Sequence, residues 1–201
     1  MARPPQHESK EKILDAAMHV IRQKGYDATT VDDICAEAGL TKGSFFHHFA
    51  SKEELALATA DHFAKMAAGL FAHAPFRDAG DPRERLLAYV DLRAQMAHGE
   101  LPEFTCLLGT MAQEVYETHP AIRKACGRHI GEHAATVEKD IVEAKRRYAP
   151  KAKWSAESLA LFTQAVIQGA FVLAKAKNDD RVAAECIGHL RRYLEMLLPP
   201  S

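Results

Sequence analysis

Hydrophobic positions recur at helical spacing along almost the whole chain. Ile13, Leu14, Ala17, Val20 and Ile21 predict a helix from about Glu8 to Lys24, stopped at Gly25. The preceding residues, Met1 to His7, hold two prolines and little to bury, and are expected to form a mobile arm. Thr30 can cap a second helix, with Asp33 three residues on and Ile34 turned inward. Gly39 fits the left-handed position that ends a helix, and Thr41 caps a short third one running to about Phe49. Ser51-Lys-Glu-Glu54 is a capping box for a longer helix carrying Leu55, Leu57, Phe63 and Leu70.

A Pro-, Gly- and Asp-rich break covers Ala74 to Pro82. Asp81-Pro82 then opens a helix expected to reach His98 and stop at Gly99. Leu101-Pro102 opens another, from about Glu103 to Glu117. A third follows Thr118 and Pro120 and runs to about Tyr148, closing on Lys145, Arg146 and Arg147, where the helix dipole favours cations. Ser155 caps a strongly apolar helix to about Lys177. Asp179 or Asp180 starts the last one, which ends before Pro199. No segment alternates with a two-residue period, so the fold class is all-α. A three-helix head over residues 8–54 precedes a larger helical body over 55–201.

Composition adds limits. Hydrophobic residues make up 47% of the 201, enough for a sizeable core, and the formal net charge is -1. Nucleic-acid binding would therefore rest on local placement of charge. Cys35, Cys106, Cys126 and Cys186 have no paired spacing, which suits a reduced, cytoplasmic protein. No signal peptide is evident, and no apolar run is expected to approach the roughly 20 residues that cross a bilayer, so no membrane is implied.

The turn length and the Ile34, Gly39, Phe45 pattern match a helix-turn-helix unit. The run Gly39-Leu-Thr-Lys-Gly-Ser-Phe-Phe-His-His-Phe-Ala-Ser-Lys-Glu-Glu-Leu55, with Gly25-Tyr26 and Thr29-Thr30-Val31 before it, closely resembles the N-terminal domain of TetR-family transcriptional regulators. The resemblance covers about the first 60 residues and implies a DNA-binding regulator of double-stranded operator DNA. Thr30, Thr41 and Ser51 cap helix starts, where free N–H groups attract phosphate. On this reading Thr41, Lys42 and Lys52 hold the backbone, Ser44, His47 and His48 face base edges, and Gly43 permits close approach. Phe46 stands where the family usually has Tyr, removing a phosphate-directed hydroxyl. Cys35 stands where alanine is typical. Residues 1 to 54 carry seven Lys/Arg against nine Asp/Glu, so binding must depend on geometry more than on bulk charge.

The resemblance also implies a body that binds a small-molecule effector and forms a homodimer through the last two helices. Two apolar stripes there, Leu159, Phe162, Val166, Ala170 and Leu173, then Cys186, Leu190, Tyr193 and Leu197, fit that role. Tyr89, Met96, Phe104, Leu107, Met111, Phe162, Val166 and Phe171 are candidates to line an apolar cavity, with Gln113, Glu114 or Gln168 as polar anchors. The same spacing also describes ordinary core. The run from Phe104 to Glu114 resembles a subgroup in which a cysteine senses oxidants or electrophiles, and Cys106 in the first turn of its helix is the candidate thiol. Cys126, His129 and His133 share one helical face, and Glu132 or His119 could join them around a metal. A metal-binding helical enzyme is thus a remote alternative. No phosphate loop, nucleophile elbow or zinc-protease run is present, so no catalytic residue and no cofactor are assigned.

Overall fold

The computed structural model describes residues 6–200, and every regular element among them is helical. The helices are α1 (Gln6–Lys24), α2 (Val31–Ala38), α3 (Lys42–His48), α4 (Lys52–Ala72), α5 (Pro82–Met96), α6 (Leu101–Phe104), α7 (Leu107–Val115), α8 (Pro120–Tyr148), α9 (Ala156–Lys177) and α10 (Arg181–Leu197). One 3-10 turn, Pro75–Asp78, follows α4. Of the arm expected over Met1 to His7, residues 1–5 lie outside the described residues, while Gln6 and His7 already belong to α1.

The boundaries follow local chemistry. Thr30 and Asp33 form a reciprocal capping box at the start of α2. The Ser51 hydroxyl accepts from Glu54 N–H while the Glu54 carboxylate accepts from Ala50 N–H. Asn178 ends α9 in the left-handed region, at φ 49°. One expected helix is broken. Instead of a single element from Glu103 to Glu117, Thr105 and Cys106 are extended and divide α6 from α7. Thr105 is buried there, its hydroxyl donating to Leu101 O, so tertiary burial overrides helical propensity.

The helices form two compact units. The first holds the described residues up to Ala67 together with Cys106–His129; the second holds Ala68–Thr105 and the residues from Ile130 onward. Within the first unit α7 packs on α1. Ile13, Ile21, Ile34, Phe45 and Leu55 are fully buried in the first unit, along with Leu107, Met111 and Ile122. Each such side chain contributes roughly 1.5–3 kcal/mol by leaving water. In the second unit α10 packs on α9 and α5 around Leu86, Ile141, Ile167, Ile187 and Leu194. Asp140, also buried, accepts from Arg77 and Arg85 at 2.7 Å each, tying the 3-10 turn and α5 to α8.

The expectation of no membrane-length apolar run is corrected by α9. Ala156–Lys177 is, by length and composition alone, apolar enough to cross a bilayer. Its buried face includes Thr163 and Gln164, with Thr163 Oγ1 donating to Leu159 O, and the helix packs on α10. A core helix of a folded unit has this composition too.

Candidate nucleic-acid interface

α2 and α3 are joined by Gly39 in the left-handed region, at φ 63°. A Cβ there would meet nothing, so the backbone angle rather than space calls for glycine. Thr41 caps α3 by accepting Ser44 N–H at 3.2 Å. Only two turns long, α3 depends on tertiary anchoring. Phe45 and Phe49 supply it, both buried and in ring contact at 5.9 Å.

Most of the residues from Thr41 to His47 other than Phe45 face out. Thr41, Lys42, Gly43, Phe46 and His47 are exposed and Ser44 is half-buried. Phe46 is 57% exposed, its edge against Phe45. Lys42 pairs with Asp32 at 2.8 Å, and both side chains are well exposed. Such a surface pair is weak, so the ammonium can exchange Asp32 for a phosphate. A Cβ on Gly43 would meet nothing closer than Thr41 Oγ1 at 3.7 Å, so the small residue leaves room outside the protein.

Three assigned residues have other work. Lys52, expected to hold phosphate, donates from Nζ to Tyr26 O at 3.0 Å, Thr29 O at 3.0 Å and Asp27 O at 3.4 Å, and sits 4.3 Å from the Tyr26 ring centroid. An ammonium has three donors, and all three are engaged. Lys52 is a tie between α4 and the loop before α2. His48, expected near base edges, instead places its Nε2 2.7 Å from Ser9 Oγ of α1, and the residue is half-buried. Thr30 donates its hydroxyl proton to Asp33 at 2.6 Å, leaving none for a phosphate. Lys24, at 2.7 Å, and then Thr30 hold the Asp33 carboxyl well below the usual range, so it stays charged.

Glu114, a candidate ligand anchor, is also a tie. Its carboxylate accepts from Tyr26 N–H at 2.6 Å and Asp27 N–H at 3.0 Å. Gly25 beside it has φ 88°, and a Cβ there would stand 2.8 Å from both carboxylate oxygens. α7 thus grips the loop that leads into α2. Nothing local in the sequence announces this contact, although a positive-φ glycine next to backbone amides is a signal that an acceptor approaches.

The remaining candidates separate. Leu107 and Met111 are fully buried core of the first unit. Gln113 Nε2 donates to Gly109 O within its own helix. Cys106 is the N-cap residue of α7, one position before the helix rather than in its first turn, and is half-buried. Cys126 is fully buried, its thiol pushed up to about 12 by burial and then by Cys106 nearby. In the second unit Val166 and Gln168 are half-buried, and Met96 is exposed. Phe162 is 44% exposed and meets Tyr193 of α10, so it faces outward rather than into a cavity.

Tyr89 and Phe171 are buried in an aromatic cluster with Phe71, Phe76, Phe104, His133 and Arg93. Tyr89 OH lies 2.9 Å from His133 Nε2 and accepts from Gln164 Nε2 at 3.3 Å. The metal set does not converge. His129 Nε2 lies 2.6 Å from Asp61, His133 is held by Tyr89, and Cys126 is core. Among the described residues no three His, Cys, Asp or Glu side chains meet.

These features have known counterparts. Residues 13–59 match the family model described as "Bacterial regulatory proteins, tetR family", and residues 82–190, more than half of the chain, match "Tetracyclin repressor-like, C-terminal domain". The chain belongs to the TetR family of DNA-binding transcriptional regulators. LmrA, an HTH-type transcriptional regulator of Bacillus subtilis, is 29% identical over 179 residues, 86% of this chain and 89% of its own length. YerO, an uncharacterized HTH-type regulator of the same organism, is 33% identical over 81 residues, 40% of this chain but only 28% of its own length. Among solved structures, a TetR transcriptional regulator from Chloroflexus aurantiacus superposes with a TM-score of 0.81 at 27% identity, covering 94% of this chain and 95% of that one.

Proposed function

We propose that this regulator is a homodimeric repressor that leaves its operator when a small molecule occupies its C-terminal domain. Residues 8–54 are the reading head, and residues 55–201 bind the effector and dimerise. The observation that carries the DNA half is the outward face of α3. Lys42, Gly43, Phe46 and His47 are exposed, with Ser44 beside them, while Phe45, Phe49 and the His48–Ser9 contact anchor the helix. Lys42 and Thr41 take phosphate, and Ser44 and His47 read base edges. Two heads of a two-fold dimer would sit in successive major grooves about 34–36 Å apart.

Dimerisation is supported by an apolar face on the last two helices. Leu161, Phe162, Val172 and Leu173 of α9 and Tyr193 and Met196 of α10 are all exposed, Met196 by 73%. A patch of this kind marks an interaction surface. Release then requires an effector that favours the DNA-incompetent state, whatever its total affinity. α5 and α4 carry the shift in this reading, changing head separation until both half-sites cannot be filled together. The domain models and relatives describe regulators, and the reading assigns no catalysis and a place in the cytoplasm with the DNA.

Selection of bound genomic fragments supplies the operator for the test. Ser44→Ala with His47→Ala should weaken the selected fragment at least about tenfold at fixed salt and leave unrelated DNA unchanged. Equal binding by the double variant would remove α3 from the reading role. Deleting the gene should raise transcription beside the selected fragments; a fall would make the protein an activator.

A further inference from the structure

Six described arginines are at least half-buried: Arg22, Arg77, Arg83, Arg85, Arg93 and Arg191. Arg22 donates to Met18 O, Arg83 to Leu198 O, Arg77 and Arg85 to Asp140, and Arg191 to Asp91. Arg93 alone among these six has neither a hydrogen-bond acceptor nor an acidic partner among the described residues. Its guanidinium carbon instead stands 5.3 Å from the Phe71 ring centroid and 5.7 Å from that of Phe171. Two ring faces offset only part of the cost of drawing a guanidinium out of water. Its five N–H donors have no protein acceptor among the described residues, and the side chain is half-buried.

No carboxylate pairs with Arg93 among the described residues, whereas Arg77, over the Phe76 ring at 4.6 Å, is paired with Asp140. Phe71 contacts Tyr89 and His133, at 5.6 Å and 5.0 Å between ring centroids, and Phe171 contacts Phe104 at 5.8 Å. The His133 ring is held neutral at physiological pH, its pKa pushed down to about 4 by burial, then by Arg93 and Arg77. Ring faces and neutral hydrogen-bonding groups therefore surround Arg93, while the other cation of the cluster, Arg77, already has a carboxylate partner. A planar guanidinium fork donates two parallel hydrogen bonds to a pair of oxygens of one oxyanion, such as a carboxylate or a sulfonate.

We propose that Arg93 is the anion anchor of the effector site, and that the effector is a flat, apolar acid whose carboxylate or sulfonate pairs with Arg93 while its rings lie against Phe71, Phe104 and Phe171. This rests on the reading of the C-terminal domain as the effector-binding part. Arg93 lies at i+4 from Tyr89 and three residues before Met96, so one face of α5 carries all three. The bound acid completes a charge pair that the protein leaves open.

Two fluorescent dyes with the same rings decide it. 8-Anilino-1-naphthalenesulfonate carries the anion, and N-phenyl-1-naphthylamine lacks it. Titrated into the full chain, the sulfonate should bind at least about tenfold more tightly than the neutral dye. Arg93→Gln should remove that preference, leaving the neutral dye within about twofold, and Arg93→Lys should restore part of it. Thermal unfolding of each variant establishes that it is folded. Equal affinity of the two dyes for the wild type overturns the proposal, as does an Arg93→Gln variant that weakens both alike. Operator binding with each dye at saturation reads the release model separately. Arg93-dependent sulfonate binding without operator release keeps the anchor and removes release for that occupant. Sulfonate-driven release that survives in Arg93→Gln keeps release and removes the anchor.

Discussion

Lys52 in the first unit and Arg93 in the second are both cations held over aromatic rings, and they differ in what happens to their donors. Lys52 spends all three on carbonyls of the Tyr26–Thr29 loop and adds the Tyr26 ring beneath it. Arg93 has rings on two sides and no acceptor among the described residues. A cation with its donors satisfied inside the protein is scaffold, whatever its sequence context suggests. A half-buried cation with open donors is placed to meet something else. Lys42 lies between these cases, paired with Asp32 but exposed and exchangeable.

The largest expected effect is on stability. Lys52→Ala should cost about 2–3 kcal/mol in urea unfolding, since hydrogen bonds from a charged donor are lost and the loop carbonyls must find water. Lys42→Ala should change stability by less than about 0.5 kcal/mol. If Lys52→Ala were neutral, the scaffold role would fall. A protonation experiment addresses the second unit. The His133 pKa lies at about 4 in the fold, against an ordinary value of 6.5. Between those values the unfolded chain holds a proton that the folded chain does not, so stability falls as pH drops through that window. The loss attributable to His133 should reach roughly 2 kcal/mol by pH 5, and His133→Gln should flatten the slope by that amount. Identical slopes would mean the ring is not held neutral.

Smaller effects sharpen the contrast at the DNA face. Lys42→Ala should lower the slope of log affinity against log salt by about 1, the signature of one lost phosphate contact. An unchanged slope would leave Lys42 with Asp32. Phe46→Tyr should tighten operator binding by about 1 kcal/mol if the added hydroxyl reaches a phosphate. No change would show that the exposed ring only covers Phe45.

Much of the first unit is legible in the chain's residue order. Thr30, Thr41, Ser51 and Gly39 announce helix ends because a cap acts on amides within three or four residues. The outward set on α3 is partly legible, since Phe45 and its C-cap residue Phe49 are four apart and mark the inward face. His48, Lys52 and Glu114 mislead because their partners lie 39, 23 to 26, and 87 to 88 residues away. In the second unit, periodicity picks out Tyr89, Phe162 and Phe171 alike, and does not tell a buried ring from an exposed one. Arg93 escapes notice because a single arginine on an amphipathic helix is ordinary; only the lack of an acceptor sets it apart.

The sequence by itself determined the helices, their capped ends, the helix-turn-helix and the family, because each is written in residues a few positions apart. It did not determine the break at Thr105–Cys106, the return of α7 to the first unit, or which cations are satisfied. Those depend on which distant carbonyls, carboxylates and rings folding brings within about 3 Å of a donor, and only the tertiary structure decides that.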